Sequence, residues 1–252
     1  MSGHSKWSSI KHQKGAADAK RGQLFTKLTR EIIIAVRQGG ASPEGNARLR
    51  LAIQKARDAR MPGDNIKRAI EKGEGTAEGA QMFEATFEGY GPGGSAVMVD
   101  VVSDNRNRAV QELRSAFSRA GGNMGENGSV AWMFESRGVI TVSAEGADID
   151  DITLKAIDAG AEDINSQSEY IEIYTGPTEL EAVRKGLEGA GLEIQSAELS
   201  KVPKTTVDLD EHTSFQVLRL LERMEEMDDV QNVYSNVDFS DDLIEKYRAQ
   251  SK

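Results

Sequence analysis

The fold of this chain is decided by residues 170–199, which read YIEIYTGPTELEAVRKGLEGAGLEIQSAEL. Apolar and polar residues alternate over Tyr170–Tyr174, and a second segment of strand character follows at Glu193–Leu199. Between them, apolar residues recur at helical spacing and predict a helix over Thr178–Gly189. The stretch therefore predicts a strand, a helix and a second strand in immediate succession.

The residues before this stretch repeat the pattern. We predict a strand at Val139–Val142, a helix at Ile152–Ala159 and a strand at Glu162–Asn165. Together with the stretch above, the order is βαββαβ, which is the split βαβ arrangement of ferredoxin-like domains. The sequence therefore predicts a ferredoxin-like α/β domain over residues 138–202.

The segments on either side of this domain are each incomplete. The predicted elements before it are strands Met82–Phe87 and Ala96–Val102, helix Asn107–Ala120 and strand Val130–Phe134. After Pro203 only a helix (Glu211–Met227) and a strand (Val230–Asn236) remain. We therefore expect residues 80–136 and 205–238 to form one α/β domain, into which the ferredoxin-like domain is inserted.

Residues 1–75 have a helical pattern instead. Helices are predicted from Gln23 to the Gly39-Gly40 pair, over Asn46–Ala59, and after Pro62 with Asp64 as the N-cap. The predicted class is α+β multidomain, with an N-terminal helical domain followed by two α/β domains, one of them ferredoxin-like and inserted in the other.

Composition excludes several classes of protein. The 252 residues include no Cys, so disulfides, thiolate metal sites and Cys nucleophiles are excluded. A hydrophobic content of 38% with 29% charged residues is typical of a globular protein that is soluble. No apolar stretch is long enough for a membrane span or a secretory signal. We expect a cytoplasmic protein with no membrane partner.

Charge is divided along the chain. Residues 1–75, here called the basic head, contain 16 Lys+Arg against 7 Asp+Glu, a formal charge of +9. Residues 76–252, the acidic body, contain 15 against 34, a charge of −19. Such asymmetry between segments indicates that the head binds a polyanion, most commonly nucleic acid.

Cations and aromatic rings alternate at the start of the head. Cations attract phosphates, and flat rings stack on unpaired bases. The alternative is a solvated face with Trp7 packed into the helical core. The candidate nucleic-acid-binding residues of the head are Lys6, Trp7, Lys11, His12, Lys14, Lys20, Arg21, Lys27 and Arg30.

A second candidate surface begins at the predicted helix after residue 102. Arg106 and Arg108 lie near its N-terminus, where the helix dipole disfavours cations. We therefore add both to the candidate contact residues. The short helix pair over residues 46–72 resembles a helix-turn-helix, but it has no distinctive set of base-reading side chains, so binding to the backbone is favoured over base readout.

Catalytic motifs are not apparent. None of the three histidines belongs to a metalloprotease or nucleophile motif. The acidic runs Asp148–Asp151 and Asp208–His212 are better explained as helix N-termini than as metal sites. We expect no catalytic residues, no metal and no cofactor.

Several motifs together resemble one family. They are Gly3-His4-Ser5-Lys6-Trp7, Ile10-Lys11-His12, Ala19-Lys20-Arg21, Phe25-Thr26-Lys27, the turn Gly89–Gly94, Ser103–Arg108 and Gly121-Gly122-Asn123. On these residues the chain resembles the YebC/PmpR family, which includes the mitochondrial translational activator of cytochrome c oxidase. The resemblance covers essentially the whole chain and starts at residue 3, so we expect a bacterial, cytoplasmic member.

The resemblance implies three domains and no catalytic residues. Members are described as DNA-binding transcriptional regulators or as translation factors that act on the ribosome. The family's basic N-terminal positions correspond to Lys6, Lys11, His12, Lys20, Arg21 and Lys27.

Two functions remain open from the sequence. The first is a non-enzymatic, monomeric regulator of gene expression that binds DNA, ribosomal RNA or tRNA, and acts on the ribosome in the RNA case. The Lys-rich head without base-reading residues or dimerising heptads favours RNA. The second is a protein-interaction adaptor whose basic head docks on an acidic protein.

Overall fold

The computed structural model describes residues 18–75, 82–146, 148–166 and 170–250. Over these ranges the chain forms eight α-helices and two four-stranded antiparallel sheets, which confirms the predicted α+β class. The helices are α1 (Asp18–Gly39), α2 (Ala47–Asp58), α3 (Gly63–Glu74), α4 (Arg106–Arg119), α5 (Ile149–Asp158), α6 (Leu180–Gly189), α7 (Glu211–Glu225) and α8 (Asp241–Gln250). The strands are β1 (Phe83–Tyr90), β2 (Ala96–Ser103), β3 (Asn123–Met124), β4 (Phe134–Ser143), β5 (Asp163–Ser166), β6 (Tyr170–Thr175), β7 (Ile194–Pro203) and β8 (Val230–Ser235).

The helical domain is held together by the apolar face of α1. Leu28, Ile32 and Val36 recur every four residues and are buried against α2 and α3. Gly73 on α3 lies so close to α1 that an added Cβ would be 2.6 Å from the Val36 Cβ. The three helices therefore share one small core.

Asn46 joins the end of α1 to the start of α2. Its side-chain oxygen accepts from the Leu49 backbone N–H at 3.0 Å, and its amide donates to the carbonyls of Ala35 and Gly40. The N-cap predicted for α3 is wrong, because Pro62 occupies that position and Asp64 lies in the first turn. There Asp64 still favours the helix through its charge at the N-terminus.

The first sheet has the order β3-β1-β2-β8, all antiparallel. β1 and β2 form a hairpin through a tight turn that includes Gly93 and Gly94, both at positive φ. α4 and α7 contribute buried Phe117 and Leu218 to the core of this sheet. The strand predicted at Val130–Phe134 is wrong, since residues 131–133 form a short 3-10 helix and the strand beside β1 is the two-residue β3.

The second sheet has the order β5-β6-β4-β7 and lies between β3 and β8 in the chain. The order confirms the predicted ferredoxin-like arrangement, because β6 lies between β4 and β5. Ile140, Ile171 and Ile173 are fully buried with Leu180 and Leu187 of α6. These apolar residues make the core of the inserted part.

Helix α8 was not predicted from the sequence. Its Tyr247 is buried against Phe215, with ring centroids 5.6 Å apart, and its hydroxyl donates to Glu222 at 2.7 Å. α8 therefore packs on α7 at the first sheet. Among the residues described, no helix combines the length and the apolar character needed to cross a membrane.

Candidate nucleic-acid interface

The first predicted contact residues cannot be placed. Lys6, Trp7, Lys11, His12 and Lys14 lie outside the described residues, as does the side chain of Lys20 at the start of α1. The next candidate, Arg21, is exposed on the first turn of α1.

Lys27 and Arg30 face the acidic body. The Lys27 ammonium donates to the Glu225 carbonyl at the C-terminus of α7, where the helix dipole favours a cation. The Arg30 guanidinium donates to the Asp228 carbonyl and lies 3.0 Å from an Asp229 carboxylate oxygen. Both cations therefore join the head to the body, which leaves them less available to an external phosphate.

Asp229 is the centre of a charged cluster between the head and the first sheet. Its side chain is only 4% exposed, and it accepts from Ser103 at 2.8 Å and from two nitrogens of Arg108. Arg108 also binds Asp104 at 2.8 Å. These two carboxylates raise the pKa of Arg108, and Arg108 lowers the pKa of Asp104. The presence of Arg108 near a helix N-terminus is thus explained by internal ion pairs.

Two further ion pairs link the head to the body. Arg48 forms a bidentate pair with Glu84 of β1, which raises the pKa of the guanidinium and lowers that of the carboxyl. Lys55 lies 3.1 Å from Glu198 of β7, which raises the ammonium pKa against the opposing effect of burial. Cations on one side of the head therefore form ion pairs with carboxylates of both sheets.

Other head cations face solvent. Arg21, Arg37, Arg57, Arg60 and Lys72 are exposed, and no hydrogen bond or ion pair joins their side chains to another described residue. We call these five the solvent-facing cations. Apart from Arg21, they were not among the candidate residues, since sequence alone does not reveal which cations lack a carboxylate partner.

An open cavity lies beside two of the head's cations. Its volume is about 570 Å³, and the cations Arg57 and Lys67 line it together with apolar residues and the carboxylates Glu71 and Glu74. Arg60 follows α2 with φ at +58°, a left-handed conformation that a residue with a Cβ seldom adopts. Its backbone N–H donates to the Arg57 carbonyl at 2.8 Å, so the strained residue closes the helix.

The second candidate surface is divided. Arg106 is exposed, and its guanidinium lies 5.8 Å from the centroid of the Phe83 ring. Arg108 is engaged by Asp229, as described above. The N-cap of α4 is Asn105, which accepts from the Arg108 backbone N–H at 3.0 Å. Of the predicted pair, Arg106 is exposed and has no ion pair with another described residue, whereas Arg108 is paired.

The acidic runs cap helices as predicted. Asp148 accepts from the backbone N–H groups of Asp150 and Asp151 at the start of α5. Asp210 accepts from the Thr213 N–H at 3.0 Å at the start of α7. In the described part of the chain, no three acidic or imidazole side chains are grouped as a metal site. Tyr90, the last residue of β1 before the turn to β2, is half-buried and its hydroxyl donates to the Ser129 carbonyl at 2.9 Å.

Comparison with known proteins identifies the family. The description "TACO1/YebC protein N-terminal domain" matches residues 5–76, and "TACO1/YebC second and third domain" matches residues 82–237. The chain belongs to the TACO1/YebC family. This confirms the resemblance drawn from the sequence motifs.

Relatives within the TACO1/YebC family are similar over their whole length. A "probable transcriptional regulatory protein" of Dehalococcoides mccartyi is 61% identical over 251 residues, covering 100% of both chains. One from Herpetosiphon aurantiacus is 52% identical, covering 99% of this chain and 100% of the relative. The crystal structure of a conserved hypothetical protein from Aquifex aeolicus matches with a TM-score of 0.83 at 48% identity, over 89% of this chain and 93% of that one.

Proposed function

We propose that this TACO1/YebC protein is a non-enzymatic, cytoplasmic regulator of gene expression that binds nucleic acid as a monomer through its basic head. The observation that carries the proposal is the contrast between the head's cations that face the body and the solvent-facing cations. Those facing the body are paired with carboxylates or carbonyls, whereas the solvent-facing cations are left for an external polyanion. The "probable transcriptional regulatory protein" names of the relatives are consistent with it.

The nucleic acid is contacted mainly through its phosphates. The described residues of the proposed interface are Lys and Arg side chains in helices or directly after α2, and the exposed side chains of α3 show no base-reading pattern. Single-stranded or structured RNA, including ribosomal RNA or tRNA, suits such a surface better than a sequence-specific duplex site. The contact residues are the solvent-facing cations with Lys6, Trp7, Lys11, His12, Lys14, Lys20 and Arg106.

The first test is a binding titration with a labelled single-stranded RNA and a duplex DNA of the same sequence. Changing Lys11, Lys14, Lys20 and Arg21 to Glu should abolish binding without loss of stability, because exposed charges contribute little to folding. The matched control changes Lys155, Lys185, Arg219 and Lys246 of the body to Glu, with the same change in net charge. Equal binding by both variants would overturn the role of the head.

The salt dependence of binding distinguishes duplex from single-stranded nucleic acid. The logarithm of the binding constant should fall with the logarithm of salt concentration by about 0.9 per phosphate contact on duplex and about 0.7 on single strands. Sedimentation of native protein in a lysate, with and without DNase, then tests the ribosome directly. DNase-resistant, salt-sensitive migration with ribosomal particles supports a role in translation, and DNase-sensitive migration supports DNA binding.

An adaptor function is the second candidate. α5 has exposed apolar side chains at Ile149, Leu154 and Ile157, which are 45%, 64% and 59% exposed. A protein partner docking there would give an association insensitive to nuclease and only weakly dependent on salt. Loss of a nuclease-resistant complex in the Leu154→Asp variant would favour this second function.

A further inference from the structure

One aromatic side chain of the body is displayed to solvent by an ordered turn. Trp132 is 64% exposed and lies in the 3-10 helix Ala131–Met133, immediately before β4. Its indole N–H donates to the Ser129 carbonyl at 3.2 Å, so the ring is held by its own polar atom while its apolar surface remains in water.

The turn under Trp132 is fixed by a buried carboxylate. Glu88 is 6% exposed and accepts from the backbone N–H groups of Gly128, Val130 and Ala131 at 2.7–2.8 Å. Burial opposes ionisation of Glu88, but the three donors prevail and the pKa of its carboxyl is lowered. Glu88 is therefore charged at neutral pH, and its bonds hold the backbone that leads into Trp132.

Lys204 places a cation next to the same turn. Its ammonium donates to the Trp132 carbonyl at 3.0 Å, and its backbone N–H donates to the Met133 carbonyl at 2.8 Å. The ammonium is exposed, and no carboxylate within the described ranges pairs with it. The ammonium thus lies against the backbone of the residue that carries the exposed ring, where the chain passes between the two sheets.

The surroundings of Trp132 distinguish a nucleobase from a protein partner. In the described part of the chain, the other exposed large apolar residues are Leu24, Ile149, Leu154, Ile157 and Leu199, and none belongs to this turn or to the loop before it. Loop residues 126–128 are exposed and are Glu, Asn and Gly. Protein hot spots lie in apolar, water-excluding patches, whereas a single ring beside a cation fits one base and its phosphate.

We propose that Trp132 and Lys204 form a stacking site for one unpaired nucleobase, with the ammonium on the adjacent phosphate. This rests on the proposed nucleic-acid function and extends it from the basic head to the body. A second contact of this kind lets the protein prefer single-stranded over duplex nucleic acid, because the bases of a duplex are not available for stacking.

The chain allows a direct optical test, since it contains only two Trp residues. Full-length protein with Trp7→Phe keeps an aromatic ring at that proposed contact position and leaves Trp132 as the one indole fluorophore, and its RNA affinity is first compared with that of the wild type. Titration with a 12-nucleotide single-stranded RNA should quench this fluorescence saturably, and the duplex form should not. Trp132→Ala should weaken RNA binding roughly 5- to 150-fold, and Trp132→Phe much less. Lys204→Gln should reduce the salt slope by about 0.7.

Leu154→Ala is the matched control, because Leu154 is also 64% exposed but lies on α5. It should bind RNA like the wild type, and circular dichroism should show all variants folded. Unquenched fluorescence with unchanged affinity of Trp132→Ala would overturn the stacking site and assign Trp132 to another partner. If the head's charge reversals still abolish binding in that case, the proposed function stands. A wild-type protein that binds neither RNA nor DNA overturns both.

Discussion

The Arg30 guanidinium lies 3.0 Å from the Asp229 carboxylate, which is 4% exposed. The two residues come from opposite ends of the chain, and Arg108 of α4 binds the same carboxylate. Asp229 therefore ties the first helix of the basic head to the loop between α7 and β8. The positive charge of the head indicates affinity for polyanions, but at Arg30 this charge attaches the head to the acidic body.

Asp229→Asn should destabilise the protein by about 3 kcal/mol, because it leaves two guanidinium groups beside a neutral, buried amide. Chemical denaturation followed by circular dichroism measures the change in unfolding free energy. Asp151→Asn is the control, since Asp151 pairs with Lys155 on an exposed helix and should change stability by less than about 0.5 kcal/mol. Equal losses of unfolding free energy in the two variants would show that the Asp229 cluster stabilises the fold no more than a surface ion pair does.

Glu88→Gln should destabilise the protein in a pH-dependent way. The pKa of Glu88 is lowered in the folded state, so its contribution is present above the unfolded value of about 4.3 and is lost as pH falls through the lower folded pKa. At pH 7 the variant should lose about 1–3 kcal/mol, since a Gln side chain brings donors toward three N–H groups. Wild type and variant should converge in unfolding free energy once the pH lies below the lowered folded pKa of Glu88.

The control for this variant is Glu126→Gln, an exposed carboxylate of the same loop. It should leave the unfolding free energy within about 0.5 kcal/mol at every pH. A constant difference between wild type and Glu88→Gln from pH 3 to 8 would contradict the charge-based account.

Arg60→Gly should stabilise the protein and weaken nucleic-acid binding together. Arg60 has φ at +58°, which glycine adopts without steric cost, so stability should rise by up to about 1 kcal/mol. Loss of one phosphate contact should reduce the salt slope on single-stranded RNA by about 0.7. Thermal unfolding and RNA titration give the two readouts. Arg60→Lys should retain the affinity, and an unchanged slope in Arg60→Gly would remove Arg60 from the interface.

Gly73→Ala should loosen the helical domain. The new methyl group would lie 2.6 Å from the Val36 Cβ and 3.2 Å from the Ile33 carbonyl, so α1 and α3 must separate. Overpacking of this kind costs about 1–3 kcal/mol. Gly45→Ala, with nothing within 4 Å, is the control for backbone effects alone. Equal melting temperatures for the two variants would show that α1 and α3 can separate without loss of unfolding free energy.

The sequence predicted helices and strands correctly where the spacing of the apolar residues and the length of the segment indicated the same element. The βαββαβ order of the second sheet was correct because each strand and helix carries its own apolar repeat. The segment Val130–Phe134 was misread because its backbone bonds go to the Glu88 side chain rather than to a neighbouring strand. α8 was missed although its first turn contains Asp241 and Asp242, a usual N-terminal signal.

The cations of the candidate site were harder to interpret. Counting charges identifies the basic head, but the sequence does not show that Lys27, Arg30 and Arg108 have partners inside the molecule. Those partners lie far along the chain, as Glu225 does from Lys27, which is 198 residues away. No local pattern reports such a pairing.

The sequence by itself determined the α+β class, the helical head, the ferredoxin-like insertion and the family, because these depend on local periodicity and on short motifs. Only the tertiary structure decided which cations are paired inside the molecule and which face solvent. It also decided that Trp132 is displayed by a turn built on Glu88. The physical reason is that ion pairing and exposure depend on distances between residues remote in sequence, which folding alone sets.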